Sequence, residues 1–322
     1  MARRYLVTGG AGFIGSNFIR FVLEREPDAR VTNLDALTYA GVPATVAELD
    51  ELPNHTFVHG DIRDASVVHE VVPGHDIVVH FAAESHVDRS ISGPEVFLST
   101  NVVGTGVMLD ASLRHGVGRF IHVSTDEVYG SIADGFAPET APLDPSSPYS
   151  AAKAGSDLLA LSYATTYGLD VVVTRCTNNY GPYQFPEKVI PLFVTNLIEG
   201  EKVPLYGDGT NERDWLYVED HCSALHLLVD AGAPGEVYNI GADAQRSNLG
   251  LTHAILGRMG FDESQIEYVP DRLGHDLRYA VDSSKIRTLG WQPEHDFGER
   301  LTDTIAWYRD RRDWWGPLKG AS

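Results

Sequence analysis

A glycine-rich turn near the start of the chain restricts what this sequence can fold into more than any other feature. The apolar run Tyr5–Val7 leads into a turn that contains Gly9, Gly12 and Gly15, and apolar residues at helical spacing follow over Phe13–Leu23. This order predicts a strand, a tight turn and a helix. Glycine permits such a turn and lets the backbone approach a ligand without an intervening Cβ. The N-terminus of the helix then offers unpaired N–H groups and a positive dipole end to a pyrophosphate.

A second predicted strand ends at an acid in the position that a dinucleotide-binding fold requires. The run Arg30–Leu34 is followed by Asp35, twenty residues after Gly15. An acid there binds the adenosine ribose 2′-OH of a dinucleotide. Because the same acid repels a 2′-phosphate, the sequence predicts NAD in preference to NADP. The alternative is a turn with no ligand, which the order of strand, glycines, helix, strand and acid disfavours.

The composition excludes several classes of partner. The chain of 322 residues carries 45 acids and 25 bases, a net charge of −20, which repels nucleic acid and anionic membranes. Cys176 and Cys222 supply neither a disulfide framework nor a metal-ligand cluster, so no metal is expected and a reducing, cytoplasmic setting is favoured. No apolar run is expected to approach bilayer length, and Arg3 and Arg4 lead directly into the first strand instead of a signal peptide.

Strands and helices alternate along the first half of the chain. After a polar connection, Leu37–Leu52, strands are predicted at Thr56–His59, Asp76–Ala83 and Phe120–Ser124, with a helix over Thr100–Leu113. The alternation predicts an α/β fold: a doubly wound parallel sheet of the Rossmann type with helices on both faces.

The second half of the chain has a different pattern. Loop-forming aromatic and polar residues come first, followed by short strands and by helices at 190–199, 218–231 and 249–259. We predict that residues 1–176 form a Rossmann domain for NAD, to which later segments at about 215–240 return. Residues 177–322 form mainly a smaller C-terminal α/β domain that binds the substrate. The pair Trp314 and Trp315 is interpreted as a packing anchor for the tail.

Asp61 has two interpretations. It follows the predicted strand Thr56–His59 and precedes a helix. In this position an acid can hydrogen-bond an adenine amino group, or it can cap the helix with no ligand. The sequence leaves both interpretations open.

Two clusters of reactive side chains are expected to face the ligand crevice. Thr125, Asp126 and Glu127 directly follow a buried strand. Adjacent carboxylates usually form a solvated turn, but at a strand end in the crevice they favour an acid/base pair. Tyr149 and Lys153 lie four residues apart on one face of a predicted helix. A nearby ammonium and a positive nicotinamide ring favour a phenolate, which indicates hydride chemistry on an alcohol; the alternative is an incidental surface pair.

These motifs together resemble a known family. The glycine turn, Thr125 and the Tyr149/Lys153 pair are similar to the extended short-chain dehydrogenases/reductases. Within that superfamily the chain resembles the dTDP-glucose 4,6-dehydratases over essentially its whole length. The stretches that carry this resemblance are Thr8–Gly15, Ala82–Ile91, Ser124–Gly130, Asn178–Gln184 and Arg272–Asp276. The chain departs from the family pattern at Gln245–Ser247, where a glutamate and a threonine are expected before Asn248.

The resemblance implies a role for each catalytic residue. Tyr149 takes the proton of the C4 hydroxyl while NAD accepts the C4 hydride, and Thr125 hydrogen-bonds the C4 oxygen. Glu127 removes the C5 proton, and Asp126 protonates the departing C6 hydroxyl. Hydride return to C6 gives a 4-keto-6-deoxy sugar. Lys153 holds the ribose and lowers the pKa of Tyr149.

The resemblance also implies the binding residues and a homodimer that forms through helices at 100–113 and 153–167. The implied NAD contacts are Gly9, Gly12, Phe13, Ile14, Gly15, Asp35, Asp61, Ile62, Ala82, Thr100, Tyr149, Lys153 and Asn179. The implied dTDP-glucose contacts are Ser85, Asn178, Lys188, Arg213, Asn248, Arg272 and His275.

Three other functions are weighed against this one. A sugar-nucleotide 4-epimerase shares the glycine turn and Tyr149/Lys153, but it has no step that protonates a leaving hydroxyl, so Asp126 and Glu127 argue against it. A GDP-mannose 4,6-dehydratase usually takes NADP, which Asp35 disfavours. A non-catalytic NAD-binding regulator has no reason to keep all five reactive side chains.

Overall fold

A parallel seven-stranded sheet forms the centre of the protein, as seen in a computed structural model that describes residues 2–319. The strands in this part of the chain are β1 (Arg4–Thr8), β2 (Arg30–Asp35), β3 (His55–His59), β4 (Ile77–His80), β5 (Arg119–Thr125), β6 (Val171–Cys176), β7 (Asn178–Tyr180), β8 (Val203–Tyr206), β9 (Glu212–Tyr217), β10 (Val237–Ile240), β11 (Gln245–Ser247) and β12 (Ile266–Val269). The order in the central sheet is β10-β6-β5-β4-β1-β2-β3, with every pairing parallel. The predicted doubly wound parallel sheet is confirmed.

Helices cover both faces of this sheet. The α-helices are α1 (Phe13–Arg25), α2 (Pro43–Leu49), α3 (Ala65–Val71), α4 (Val87–Ser92), α5 (Pro94–Phe97), α6 (Thr105–Arg114), α7 (Pro148–Tyr167), α8 (Val189–Glu199), α9 (Val218–Ala231), α10 (Asn248–Met259), α11 (Ser284–Arg287), α12 (Phe297–Asp310) and α13 (Arg312–Trp315). Tyr5 and Val7 pack with α1 and α9 on one face, while Leu6 packs with α3 and α6 on the other. A strand buried on both faces needs a continuous apolar run, and the sequence of β1 has one.

Two segments differ from the sequence-based prediction. The polar connection 37–52 contains the helix α2, which begins with proline at its first position. The helix predicted over 100–113 is confirmed in part: it opens as a π-helical turn, Leu98–Gly104, and continues as α6. Neither feature has a local sequence signal strong enough to predict it.

The longest apolar helix is Pro94–Arg114, formed by α5, the π-helical turn and α6 in succession. It has 21 residues, and an 18-residue window within it has a mean hydropathy of 1.3 and is 44% buried in the fold. Its length and composition would suffice to cross a bilayer, so the expectation that no apolar run approaches that length is wrong. In the fold its buried side chains pack against α7.

The second half of the chain builds a separate core beside the central sheet. Strands β11, β9 and β7 form a small sheet, β12 pairs with β8, and α8, α10 and α12 pack around them. Strand β10 leaves this region and pairs with β6 at the edge of the central sheet. The division into two domains with a boundary at residue 176 stays a prediction.

The tail is anchored as predicted. Trp314 and Trp315 are both buried. The indole of Trp314 donates to Thr45 Oγ1 at 2.9 Å, and that of Trp315 donates to the carbonyl of Tyr308 at 2.6 Å. The C-terminal segment therefore holds α2 in place.

Candidate active site

Two adjoining cavities lie at the carboxyl ends of the central strands. The first measures about 310 Å³ and the second about 600 Å³. The residues that line both cavities are Ser85, Glu127, Asn178, Asn179, Gln184, Glu187 and Lys188. This shared wall makes them two parts of one site.

The structure brings the predicted site residues to these cavities. All the residues predicted to bind NAD line the first cavity: Gly9, Gly12, Phe13, Ile14, Gly15, Asp35, Asp61, Ile62, Ala82, Thr100, Tyr149, Lys153 and Asn179. All the residues predicted to bind the sugar nucleotide line the second: Ser85, Asn178, Lys188, Arg213, Asn248, Arg272 and His275. The predicted catalytic residues Thr125, Asp126, Glu127, Tyr149 and Lys153 line the first. Their individual roles stay predictions.

The glycine turn is packed too tightly to accept side chains at Gly9 and Gly15. Gly9 has a φ of +73°, and a Cβ at Gly15 would lie 2.4 Å from the carbonyl oxygen of Gly9. Helix α1 begins after Gly12, whose lack of a side chain leaves the N-terminus without a side-chain cap. The first N–H groups of α1 therefore lie at the cavity wall, where they form the positive end of the helix dipole. A helix N-terminus of this kind binds a diphosphate.

Asp35 joins the turn to the cavity. Its Oδ2 accepts a hydrogen bond from the N–H of Ala11 at 2.9 Å, and its Oδ1 accepts one from the N–H of Leu37 at 2.8 Å. Each oxygen keeps a second lone pair, so the carboxylate can still accept ribose hydroxyls. Burial raises the pKa of Asp35, and the two N–H groups oppose that effect.

The structure separates the two interpretations of Asp61. Helix α3 is capped by Asp64, whose carboxylate accepts from the N–H of Ser66 and of Val67. Asp61 instead accepts from the N–H of Arg63 at 2.8 Å and from its guanidinium at 2.6 Å. The helix-cap interpretation of Asp61 is therefore wrong, and a contact with adenine stays a prediction.

Asp126 is a buried acid at the end of β5. Thr125 caps a short 3₁₀ turn, Asp126–Tyr129, by accepting from the N–H of Glu127 at 3.3 Å. Burial, and then the charge on Glu127, raise the pKa of Asp126 well above its usual value. Both influences favour the protonated form of Asp126.

Glu127 differs from its neighbour because cations face it. Burial raises the pKa of Glu127, but the charges on Arg213, Lys188 and Arg272 oppose that effect. Burial and like charge therefore favour the protonated form of Asp126, and the cations favour the ionised form of Glu127. An acid and a base side by side are what the predicted pair requires.

Tyr149 and Lys153 are positioned by the start of α7. Ser147 and Ser150 form a reciprocal capping box, and Pro148 occupies the first helical position. Tyr149 and Lys153 consequently lie one turn apart on the same face, as predicted. The Lys153 ammonium donates to the carbonyl of Val123 at 2.8 Å.

The expected lowering of the Tyr149 pKa by Lys153 is not found in the protein alone. Burial first, and then the charge on Glu127, raise the pKa of Tyr149 well above its usual value, while Thr125 acts in the opposite direction. Burial of the phenol is the main reason, and the carboxylates Glu127 and Asp126, which line the same cavity, add to it. A further cation in the cavity, such as a nicotinamide ring, would oppose them.

The second cavity is rich in fixed cations. Arg213 is 7% exposed, lies 4.1 Å from the Tyr279 ring centroid and donates to the carbonyl of Asp276 at 2.9 Å. Lys188 donates to the carbonyl of Ser85 at 3.0 Å. Guanidinium and ammonium groups held in this way suit a diphosphate.

The departure from the family pattern falls beside this cavity. Gln245–Ser247 forms β11, which pairs antiparallel with β9. Ser247 caps α10 by accepting from the N–H of Gly250 at 3.0 Å. Asn248 is thereby held in the first turn of α10, where it lines the second cavity. The serine supplies the cap at this position, and the residues of the departure stay outside the cavity lining.

Several lining residues were missed by the sequence analysis. Tyr39, Glu84 and Glu187 line the first cavity, and Tyr206 and Tyr279 line the second. Glu187 directly precedes Lys188, which was predicted to bind the sugar nucleotide, so its position beside that lysine could have identified it. The others lie in loops or in the second half of the chain, and they reach the cavities only through tertiary packing.

Comparisons with known proteins agree on one family. A family model described as GDP-mannose 4,6 dehydratase matches residues 6–304. A dTDP-glucose 4,6-dehydratase from Streptomyces antibioticus is 57% identical over 320 residues, which cover 98% of this chain and 95% of that protein. The crystal structure of a dTDP-glucose 4,6-dehydratase from Streptomyces venezuelae, with NAD and dTDP bound, gives a TM-score of 0.96 at 55% identity and covers 98% of this chain and 99% of that one.

Epimerases share the fold at a greater distance. The structure of a UDP-glucose 4-epimerase from Thermotoga maritima gives a TM-score of 0.89 at 32% identity, covering 96% of this chain and 99% of that one. The fold alone therefore does not separate the two reactions. The two reactions have to be distinguished by the residues that line the cavities.

Proposed function

The chain belongs to the dTDP-glucose 4,6-dehydratase family within the extended short-chain dehydrogenases/reductases, and we propose that it converts dTDP-glucose to dTDP-4-keto-6-deoxyglucose for deoxysugar biosynthesis. One observation carries the proposal. One cavity is lined by the Tyr149/Lys153 pair, by Asp126, whose pKa burial raises well above its usual value, and by Glu127, which faces cations. That set combines groups for oxidation at an alcohol with groups for elimination of water.

NAD is the cofactor, and the first cavity fits it. The uncapped N-terminus of α1 lies at this cavity and would hold the diphosphate, and Asp35 offers acceptors for the adenosine ribose. When bound, NAD takes a hydride from C4 of the sugar and returns it to C6.

Each catalytic side chain has a part that its surroundings support. Tyr149 accepts the C4 hydroxyl proton, and Thr125 hydrogen-bonds the C4 oxygen. The resulting ketone acidifies the C5 proton, which Glu127 removes. Asp126 donates its proton to the C6 hydroxyl, which leaves as water, and a proton later returns to C5. Lys153 holds the ribose of the cofactor.

The second cavity accepts the rest of the substrate. We assign the diphosphate to the cations Lys188, Arg213 and Arg272, because these lysine and arginine side chains line that cavity and act on Glu127. Ser85, Asn178, Asn248 and His275 are the polar side chains left to bind the sugar and the nucleoside.

The decisive experiment is a turnover assay with a defined set of substrates. The protein is incubated with dTDP-glucose, first without and then with added NAD, and the products are analysed by mass. We expect loss of one water and formation of a 4-keto sugar. An isomer of unchanged mass would indicate an epimerase instead. Faster conversion of GDP-mannose would assign the other dehydratase activity, and no turnover of either sugar with NAD present would favour a non-catalytic NAD-binding protein.

Replacing Asp35 by alanine tests the choice of cofactor. The change removes acceptors for the ribose 2′-OH and a charge that repels a 2′-phosphate. We expect NAD to bind about tenfold more weakly and the preference over NADP to narrow. Equilibrium titrations with both dinucleotides measure this. Asp64→Ala, which removes the cap of α3 outside the cavity, should leave the preference unchanged. Tighter binding of NADP by the unmodified protein would contradict the assignment.

The surface supports a homodimer. Apolar side chains are exposed on the neighbouring helical segments of α5, the π-helical turn and α7: Val96, Leu98, Val103, Leu158 and Tyr167. Leu98, Val103 and Leu158 are 52%, 58% and 59% exposed. Exposed apolar side chains on helices that pack against one another are typical of an interface between subunits.

A paired substitution tests this interface. Val103→Asp with Leu158→Asp places two charges on the proposed contact, and desolvating them on association is unfavourable. We expect the dimer to dissociate, with the mass in light scattering falling to that of one chain. Tyr268→Asp, at a side chain that is 61% exposed on β12, is the matched control and should keep the dimer. A single-chain mass for the unmodified protein would refute the dimer itself.

We also propose a cytoplasmic location. Cys176 and Cys222 are both free thiols and both buried. Free thiols match a reducing compartment.

A further inference from the structure

A buried carboxylate lies one helical turn beyond Lys153. Asp157 is fully buried on α7, on the same face as Lys153. Its Oδ2 accepts a hydrogen bond from Nε of Arg175, on β6, at 2.9 Å. Its Oδ1 lies 3.3 Å from Nε2 of His122 and has no hydrogen-bond partner among the described residues. Asp157 does not line either cavity.

Arg175 is held in place from its other side. It is 3% exposed, and its guanidinium donates to the hydroxyl of Tyr129 at 2.8 Å. That hydroxyl donates in turn to Asn239 Oδ1 at 2.8 Å. Because the guanidinium is held in place, it also holds the carboxylate of Asp157 in one orientation. In that orientation Oδ1 points away from Arg175.

The charge on Asp157 is unusual for so buried a group. A carboxylate without compensation is expelled from such an environment or becomes protonated. Although burial opposes ionisation, contacts with His122, Arg175 and Lys153 hold the pKa of Asp157 below its usual value. Asp157 is therefore an anion beneath the site.

Few titratable groups face Lys153. They are Tyr149 and Asp157 on its own helix, Cys176 on β6, His80 on β4 and His122 on β5. Burial lowers the pKa of both histidines, which keeps them neutral, and raises the pKa of the Cys176 thiol to about 12. Asp157 is the anion of this group. Burial lowers the pKa of Lys153, and Asp157 is the largest influence against that lowering.

We propose that Asp157 is a positioning residue of the reaction, whose buried carboxylate keeps the Lys153 side chain charged and able to bind the ribose of the cofactor. This inference rests on the proposed function of Lys153. Arg175 alone gives Asp157 a structural reason to be present. The positioning role makes a further requirement: the charge of Asp157 must stabilise the charged form of Lys153. The structural role makes no such requirement.

The pH dependence of NAD binding separates the two roles. NAD affinity of the unmodified protein should fall at alkaline pH as Lys153 loses its proton. Asp157→Asn removes the anion, so the charged form of Lys153 is less stable and its pKa falls. The midpoint of the affinity loss should then move about one pH unit lower. Asp157→Glu, which keeps the charge, should restore the midpoint.

Controls make the result specific. Asp220 is also buried and accepts hydrogen bonds from the backbone of Glu294 and His295, so Asp220→Asn is a matched loss of a buried charge and should leave the midpoint unchanged. Lys153→Met should abolish the alkaline midpoint, and a midpoint that persists there overturns the proposal. An unshifted midpoint in folded Asp157→Asn overturns it as well.

Two further results complete the test. If Asp157→Asn does not fold, the double variant with Arg175→Gln removes both charges of the pair, and its midpoint should still move lower, but by less, because a cation is lost with the anion. NAD binding is measured without sugar, so failure of the dehydratase proposal is read separately, from the absence of a 4-keto product with the unmodified protein.

Discussion

Replacing Tyr149 by phenylalanine is expected to lower the rate of sugar oxidation by a hundredfold or more, about the contribution of one positioned acid/base group. The phenyl ring keeps the packing against Phe97, whose ring centroid lies 6.3 Å from that of Tyr149. Only the hydroxyl that accepts the C4 proton is lost. Single-turnover mixing with dTDP-glucose, followed by NADH absorbance, measures the step directly.

A second tyrosine serves as the control for this change. Tyr180 is as deeply buried, and its hydroxyl contacts the carbonyl of Phe297 at 3.5 Å, away from both cavities. Tyr180→Phe should therefore form NADH at the normal rate. If Tyr149→Phe reduces the cofactor as fast as the unmodified protein, the base is another group.

Replacing Asp126 by asparagine is expected to separate oxidation from elimination. Tyr149, Lys153 and the cofactor site stay intact, so the C4 hydroxyl is still oxidised. The C6 hydroxyl then has no proton donor, so the variant should accumulate bound NADH together with the 4-keto hexose. Rapid-mixing absorbance and mass analysis of the quenched sugar detect both species. Dehydration at the normal rate would show that another group protonates the leaving hydroxyl.

The neighbouring carboxylate gives the complementary result. Glu127→Gln should still form NADH but should lose exchange of the C5 hydrogen with solvent deuterium, since no base removes it. Each variant is a control for the other, because the two substituted residues are adjacent in the chain but act in different steps of the reaction.

The raised pKa of Asp126 also sets a pH dependence. The group donates its proton only below its pKa in the folded protein, which burial and Glu127 raise. As the pH rises through that value, dehydration should slow while NADH formation persists, so the fraction of enzyme holding NADH should grow at alkaline pH. A constant fraction across the alkaline range would contradict the role of Asp126 as the acid.

Much of the fold was predictable because its signals are local. The strand, glycine turn, helix, strand and Asp35 follow one another within a short stretch, and each step depends on side-chain periodicity or on the freedom of glycine. The alternation that continues to β5 predicts a parallel sheet. The end of β5 and the start of α7 then place Thr125, Asp126 and Tyr149 at the same sheet edge, where ligands bind. The family resemblance added the chemistry.

The sequence by itself determined the parallel sheet and the cofactor turn. Tertiary structure decided what depends on burial and on contacts between distant segments. It assigned the cap of α3 to Asp64, joined α5 to α6 through a π-helical turn and brought Tyr39 to the cavity. It also buried Asp126 and Glu127 together, placed cations against Glu127 and set Asp157 one helical turn from Lys153. Charge in a protein interior depends on which groups lie nearby and how much water is excluded, and a linear pattern contains neither quantity.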